Sequence, residues 1–154
     1  MTEAIVAEAA VAVGVNLSGE RKLSAPLLTF LRHQGWVRPD TLIAHELPWH
    51  GRRIDMATLT RGGVLASYEL KLSSFGRVLE QSIYNRLSFD RSYLVIAAMP
   101  RPENMASAAQ HRVGVILVAD GTARCLLRSP LLHSEPVLRT RLSKKIRQAG
   151  AIDV

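Results

Sequence analysis

Asp55, Glu69 and Lys71 are charged residues inside two short runs that are otherwise mostly apolar. The runs are separated by the glycine-containing turn at 60–63, a pattern that predicts a β-hairpin. Because strand side chains alternate, Glu69 and Lys71 share one face of their strand while Leu70 points away. Pairing of the hairpin around its turn brings Asp55 beside them. Two carboxylates at one spot can bind a divalent cation, and an ammonium group beside them can help to position a water molecule.

The same three residues also have a purely structural interpretation. Asp55 can pair with Arg52 or Arg53, which precede it in the first run. Glu69 and Lys71 can form a solvated pair on an open sheet face, which contributes little to stability. A Glu-x-Lys sequence in a strand is common by chance. What favours a functional site is its combination with an acidic residue one strand upstream and a polar helix downstream.

The order Asp55, then Glu69-Leu70-Lys71, resembles the PD-(D/E)XK nuclease superfamily, whose fold is called restriction-endonuclease-like. A following helix that carries Gln81 and Tyr84 adds to the resemblance, which covers about residues 23–119.

Two features depart from the pattern of that superfamily. Ile54 stands before Asp55, where the named motif has proline. Gln81 and Tyr84 are three positions apart, whereas the Gln and Tyr of RecB-like nuclease domains are often one position further apart. Both spacings keep the two side chains on one helix face, so this departure bears on the subfamily more than on the fold.

The resemblance implies an α/β, restriction-endonuclease-like, three-layer core in which helices flank a mixed β-sheet. It also implies hydrolysis of DNA phosphodiester bonds with Mg²⁺ or Mn²⁺ as cofactor. The metal ligands would be Asp55, Glu69 and the backbone carbonyl of Leu70, which are hard oxygen donors. Lys71 would orient or help deprotonate the attacking water, or neutralise the transition state. Its carboxylate neighbours keep it charged, which favours the electrostatic role.

Four further residues are candidates by the same resemblance. Glu46 occupies the place of an extra acidic residue that many members carry upstream of the central Asp, so it is a candidate catalytic residue. Its alternative role is a cross-strand salt bridge to an arginine of the next strand. Gln81 and Tyr84 would hold the scissile phosphate or the adjacent base, and Arg77 would contact a backbone phosphate. Their alternative is an exposed position on an amphipathic helix.

Charge and cysteine content narrow the partners. The net charge is +7, from 20 basic and 13 acidic residues, and 16 of the basic residues are arginine. Arginine suits bidentate phosphate contacts, so a nucleic acid is the favoured acidic partner. An arginine-rich genome composition would give the same count.

The single Cys125 excludes an internal disulfide and a cysteine metal cluster, and we expect a buried, unreactive thiol.

Periodicity and turn residues predict the elements that position the site, within one domain of 154 residues. Residues 2–15 are predicted to form a short helix, followed by a loop at 16–20. The other predicted helices are Ser24–Gly35 with Ser24 as N-cap, a helix from Ser73 or Ser74 to about Ser88, Glu103–His111, and a basic C-terminal helix at about 136–149. The predicted strands are Thr41–Trp49, Arg52–Leu59, Val64–Leu72, Ser92–Met99, Gly114–Ala119 and Thr122–Leu127.

Two of these helices carry expectations of their own. In the helix after Lys71, an apolar residue occurs at every fourth position from Phe75 to Leu87. These residues form the stripe that we expect to be buried. The basic C-terminal helix either lies along a phosphate backbone or docks on the domain with a solvated basic face.

Location and assembly follow from weaker signals. Residues 2–15 lack the basic start of a secretory signal, and their apolar run is too short to span a membrane. We therefore expect a cytoplasmic protein with no membrane partner. DNA is the expected partner, and the sequence does not separate it from RNA. A chain of this length that cuts both strands would act as a homodimer or nick twice.

The main alternative is a non-catalytic DNA-binding or assembly module of the same fold. The complete set of Asp55, Glu69 and Lys71 favours the enzyme, because a degenerate copy is expected to lose one of these residues first. A structural protein with a chance motif is the third option.

Overall fold

The computed structural model of the chain describes residues 20–73 and 75–152. The helix expected at 2–15, most of the loop expected at 16–20, and Ser74 lie outside the described residues. The helices are α1 (Ser24–His33), α2 (Phe75–Asn85), α3 (Pro102–Gln110) and α4 (Pro136–Ala149). The strands are β1 (Leu42–Trp49), β2 (Arg52–Leu59), β3 (Leu65–Lys71), β4 (Arg91–Ile96), β5 (Gly114–Ala119), β6 (Thr122–Leu127) and the two-residue β7 (Ala151–Ile152).

The strands form one mixed sheet in the order β6-β5-β4-β3-β2-β1-β7. Strands β1, β2 and β3 are an antiparallel meander, whereas β3, β4 and β5 run parallel. Parallel neighbours need crossover connections, and helices α2 and α3 supply them. The α/β class and the mixed sheet predicted from the sequence are confirmed.

Helices cover both faces of this sheet, so the domain has three layers. On one face, Leu27 and Leu31 of α1 pack in a buried cluster with Tyr68 and Tyr93. On the other face, α2 and α3 share a cluster with β4 and β5, and α4 packs against β1 and β2. None of the helices in the described ranges combines the length and the apolar character needed to cross a membrane.

The C-terminal helix is docked on the domain through a buried carboxylate. Asp90 is fully buried and accepts hydrogen bonds from the backbone N–H of Leu65 at 2.8 Å and of Ser134 at 3.2 Å. Arg139 of α4 forms an ion pair with the same carboxylate and donates to the Gly63 carbonyl oxygen at 2.7 Å. The docked alternative for this helix is therefore confirmed, and Arg139 serves the fold.

Several predicted element ends were wrong. The helix α2 ends at Asn85 and not near Ser88, so Leu87 lies beyond it and is exposed instead of completing the buried stripe. Strand β4 ends at Ile96 and not at Met99, because the chain bends before Pro100.

The start of α1 also differs from the prediction. Ser24 is its first helical residue and not its N-cap, and the cap residue Leu23 already has helical angles. A helical turn precedes it, since the Leu23 N–H donates to the Glu20 carbonyl oxygen at 3.0 Å. Glu20 therefore does not belong to a loop.

We expected Cys125 to be buried, but its side chain is only half-buried. Burial raises the pKa of its thiol, which disfavours the reactive thiolate form.

Candidate active site

The candidate site lies where β2 and β3 separate. The two strands are paired as far as Met56 and Tyr68, and the ladder ends at that pair. Asp55 fills the gap, and its Oδ2 accepts a hydrogen bond from the backbone N–H of Leu70 at 2.7 Å. The first predicted carboxylate is thereby anchored to the backbone of the Glu-x-Lys segment.

The carboxyl groups of Asp55 and Glu69 lie within hydrogen-bonding reach of each other. Glu69 is 1% exposed, and burial together with the charge of Asp55 raises its pKa to about 8. Burial also raises the pKa of Asp55, against the effect of the hydrogen bond from Leu70. Near neutral pH the pair therefore retains a shared proton, as two like charges at this distance cannot both form cheaply.

Glu69 is held from the helix side by a two-step hydrogen-bond chain. Asn85 of α2 donates from Nδ2 to Glu69 Oε2 at 2.8 Å. Arg52 donates from Nη2 to Asn85 Oδ1 at 2.5 Å, and its positive charge acts to lower the pKa of Glu69. Asn85 is buried and was not among the predicted site residues, because nothing in its local sequence indicates this role.

Lys71 pairs with Glu20, which was not among the predicted site residues. Its Nζ lies 3.4 Å from Oε2 of Glu20, and about a quarter of each side chain is exposed. Glu20 is close enough to Asp55 to raise the pKa of that carboxyl. The only sequence signal for Glu20 was its acidic side chain. The helical turn that orients it was not predicted, because residues 16–20 were expected to form a loop.

A cavity of about 530 Å³ opens beside Asp55. It is lined by Glu20, Arg21, Ser24, His45, Glu46, Arg53, Asp55, Met56 and Leu70. Three carboxylates thus face one space next to the start of α1, and its volume lies within the range typical of small-molecule sites.

Glu46 lines this cavity and pairs across the hairpin. Its Oε1 lies 3.7 Å from Nη1 of Arg53, so the salt bridge weighed as its alternative role is present. Both side chains are largely exposed, and such a pair adds little stability. Glu46 also acts to raise the pKa of Asp55, which places its charge within range of the carboxyl pair.

Strands β1 and β2 both change faces at this point. Ala44 and Leu47 belong to the same core cluster although they are three positions apart, and so do Ile54 and Ala57. Regular alternation would put such residues on opposite faces. Glu46, with φ of 54°, interrupts the alternation in β1. A left-handed conformation at a residue other than glycine is a cost that proteins concentrate at functional sites.

The three helix residues predicted to contact substrate differ in their contacts with the residues around the carboxyl pair. Tyr84 is 58% exposed, and the Arg52 guanidinium lies 4.8 Å from its ring centroid. Gln81 lies one turn before Asn85, and its buried Oε1 has no hydrogen-bond partner among the described residues. Arg77 is exposed, and no described contact joins it to the carboxyl pair. The structure thus links Tyr84 to the site through Arg52.

The donor set of the site is small. In residues 20–73 and 75–152, no three His, Cys, Asp or Glu side chains are placed to hold a metal ion together. Asp55, Glu69 and the Leu70 carbonyl remain the candidate ligands. A carboxyl pair that retains a proton fits a divalent cation, because the cation supplies the positive charge that would replace that proton. Mg²⁺ is commonly bound by one or two carboxylates with water completing its shell.

Fold and site together define an α/β domain with an acidic pair, half-buried Asp55 and buried Glu69, at the separated ends of two strands. The chain matches no protein-family model and no curated protein. It is similar in structure to the SPO1766 protein of unknown function from Silicibacter pomeroyi, with a TM-score of 0.64 and 18% sequence identity over 84% of each chain. This similarity shows a shared fold.

Proposed function

We propose that this chain is a divalent-metal-dependent nuclease of the PD-(D/E)XK superfamily, with a restriction-endonuclease-like fold, that hydrolyses DNA phosphodiester bonds. The observation that carries the proposal is the pair of half-buried Asp55 and buried Glu69 at the point where β2 and β3 separate, with Lys71 at the end of β3. Repair, restriction and the processing of phage or mobile-element DNA are roles that fit this activity.

The residues that would hold Mg²⁺ or Mn²⁺ are already fixed in place. The Leu70 N–H orients Asp55, and Asn85 orients Glu69. Ligands held in this way lose little further freedom on binding. A bound divalent cation would supply a more acidic water and stabilise negative charge on the phosphate.

Lys71 would act on the negative charge of the phosphate. It lies at the end of β3, directly after Leu70 and two residues after Glu69, and its Nζ is 3.4 Å from a carboxylate oxygen of Glu20. Glu20 and Glu46 would lie around the attacking water. Neither is required as a metal ligand in the proposal.

DNA contact would come from the surface around the cavity. Arg21 and Arg53 line it, Tyr84 is exposed beside Arg52, and Gln81 would contribute through its amide NH₂ donor, because its Oε1 is a buried acceptor. Arginine and exposed aromatic side chains suit phosphate and base contacts. Arg77 would contact the backbone further along α2.

A non-catalytic DNA-binding module is the second candidate. The observation that favours it is the Lys71–Glu20 ion pair, because a lysine engaged by a carboxylate of its own chain is less available to a phosphate. Under this alternative the basic surface is retained for binding, and the carboxyl pair of Asp55 and Glu69 has no catalytic role.

The test is cleavage of plasmid DNA, of labelled single-stranded DNA and of RNA, with Mg²⁺, with Mn²⁺ and with EDTA. Lys71→Ala is compared with wild type and with Lys144→Ala, an exposed lysine of α4. We expect metal-dependent cleavage that Lys71→Ala lowers by ~100-fold or more and that Lys144→Ala retains.

Cleavage that survives Lys71→Ala would place the activity elsewhere. Binding of DNA by wild type without cleavage in either metal would support the non-catalytic module. The substrate that is cut best would separate DNA from RNA.

A further inference from the structure

A second cavity, of about 600 Å³, lies at the other end of α1, where Gly35 and Trp36 follow the helix. The helix has ten residues, so its ends are ~15 Å apart. No residue lines both this cavity and the one beside Asp55. Its volume lies within the range of about 300–1,000 Å³ that is typical of small-molecule sites.

The charge of this second cavity is strongly positive. Four arginines line it, namely Arg38, Arg61, Arg91 and Arg128. The one carboxylate in its lining is Asp40, which lies 3.8 Å from Arg61. The other three arginines form no ion pair with any residue in the described ranges. A concave surface with this excess of positive charge attracts an anion, and guanidinium groups match phosphate in particular.

Three of these arginines are held in place by the fold. The Arg91 Nη1 donates to the Ser129 carbonyl oxygen at 2.6 Å, and the Arg38 Nε donates to the Gly35 carbonyl oxygen at 3.3 Å. The Arg128 guanidinium lies 4.6 Å from the centroid of the Trp36 ring. Groups positioned in advance bind an anion at a lower entropic cost.

Part of the cavity lining is aromatic and aliphatic, beside three threonines and the charged residues. Trp36 and Tyr68 line it, and both rings pack on Tyr93, with centroids 5.4 Å and 5.3 Å from that ring. Val64 and Ala66 add aliphatic surface. Flat apolar walls beside guanidinium groups suit a planar ring that carries a phosphate.

We propose that this cavity binds a phosphorylated ring compound of mononucleotide size, with its phosphate on the arginines and its ring against the aromatic wall. The same chemistry is offered by a free nucleotide and by the terminal nucleotide of a strand. The site is separate from the carboxyl pair, and the proposal does not depend on the nuclease activity.

The test is calorimetric titration of the full chain, in EDTA at fixed ionic strength, with the four ribonucleoside 5′-monophosphates, a free nucleoside and inorganic phosphate. We expect saturable binding of at least one monophosphate, with the nucleoside and inorganic phosphate each weaker by roughly ten-fold or more. Arg128→Ala and Arg38→Ala should each weaken binding by about ten-fold.

Arg124→Ala is the matched control. Arg124 is an exposed arginine of β6 whose neighbours Ala123 and Cys125 pack on the α1 face, so its own side chain points to the opposite face. This variant removes the same charge from the chain and should bind like wild type.

Equal loss of affinity in the Arg124→Ala and Arg128→Ala variants would overturn the proposal, since it would reduce binding to net charge. So would equal affinity for inorganic phosphate and the monophosphates, or no binding by wild type at about 1 mM ligand, where specific binding is already weak. Tighter binding of a 5′-phosphorylated dinucleotide, lost in Arg128→Ala, would support the site and identify a strand end as its ligand. Tighter binding of the monophosphate would identify a free nucleotide.

Discussion

Asn85 donates a hydrogen bond from Nδ2 to Oε2 of Glu69 across 2.8 Å, which joins the last residue of α2 to the end of β3. The acceptor is buried, and this hydrogen bond acts to lower its pKa while burial raises it. Asn85 therefore sets both the orientation of the carboxyl group and the ease with which it loses its proton. The site depends on the packing of α2 as much as on the sheet.

Asn85→Ala should lower stability and move the pH dependence of activity. The substitution removes a buried partner of Glu69, which costs about 1–3 kcal/mol. Loss of the hydrogen bond raises the pKa of Glu69 further, so a cation has to displace a more tightly held proton. We expect the acidic limb of the metal-dependent cleavage profile to move to higher pH, as measured by initial rates between pH 5 and 9.

Asn104→Ala is the control for that substitution, because Asn104 lies on α3 and lines a different surface pocket. It should leave the pH profile unchanged. An unaltered profile in Asn85→Ala would mean that the hydrogen bond to Glu69 has no bearing on metal binding.

Glu69 should make the folded state less stable as the pH rises. The pKa of its carboxyl is about 8 in the folded protein, against an ordinary value of 4.5. Between these values the folded state binds more protons than the unfolded state, so the free energy of unfolding falls with increasing pH. The Glu69→Gln variant lacks this pH dependence. Without metal, its free energy of unfolding relative to that of wild type should increase by a few kcal/mol, as an order of magnitude, from pH 5 to pH 8.

Thermal unfolding in EDTA at four pH values between 5 and 8 measures this difference. Glu80→Gln, an exposed glutamate of α2, should run parallel to wild type. Adding Mg²⁺ or Mn²⁺ should stabilise wild type most at pH 8 and leave Glu69→Gln almost unaffected. Parallel curves for wild type and Glu69→Gln in EDTA would show that Glu69 titrates normally.

Local sequence patterns were enough for the strands and for the meeting of the two carboxylates. Strand β2 begins and ends where predicted, because tight turns bound it on both sides: His50 and Gly51, with φ of 50° and 76°, form one of them. Hairpin register then brings Asp55 towards Glu69, as the alternation of strand residues predicted.

What local patterns could not give were contacts set by the packing of separate elements. Asn85 meets Glu69 only because α2 crosses from β3 to β4 over that face of the sheet. Glu20 meets Lys71 because a helical turn precedes α1. Neither contact follows from a hydrophobic period or from the spacing of a motif. The left-handed backbone at Glu46 could not be predicted either, because the residue there is not glycine.

Glu20→Gln should separate the two roles open to Glu20. If Glu20 holds Lys71 in position, as the 3.4 Å ion pair indicates, its loss leaves the lysine side chain free to move. We then expect kcat to fall by roughly ten-fold, equal to about 1.4 kcal/mol of activation free energy. The metal concentration for half-maximal activity should then change by less than about two-fold, because the cation would keep Asp55 and Glu69. Initial rates at a series of Mn²⁺ concentrations measure both quantities.

Glu103→Gln on α3 is the control for this variant, because Glu103 is exposed. The opposite result, an unchanged kcat with a ten-fold higher metal requirement, would reassign Glu20 to the surroundings of the metal ion.

Arg139→Ala should destabilise the domain far more than its neighbour Arg141→Ala. Arg139 is the ion-pair partner of the fully buried Asp90, and it also holds the carbonyl oxygen of Gly63. Without it the carboxylate keeps only its neutral donors, and loss of one partner of a buried pair costs about 3–5 kcal/mol. Arg141 is exposed on the same helix, so its removal should stay within about 0.5 kcal/mol. Urea unfolding of both variants measures the difference, and equal midpoints would mean that α4 is held by its apolar face alone.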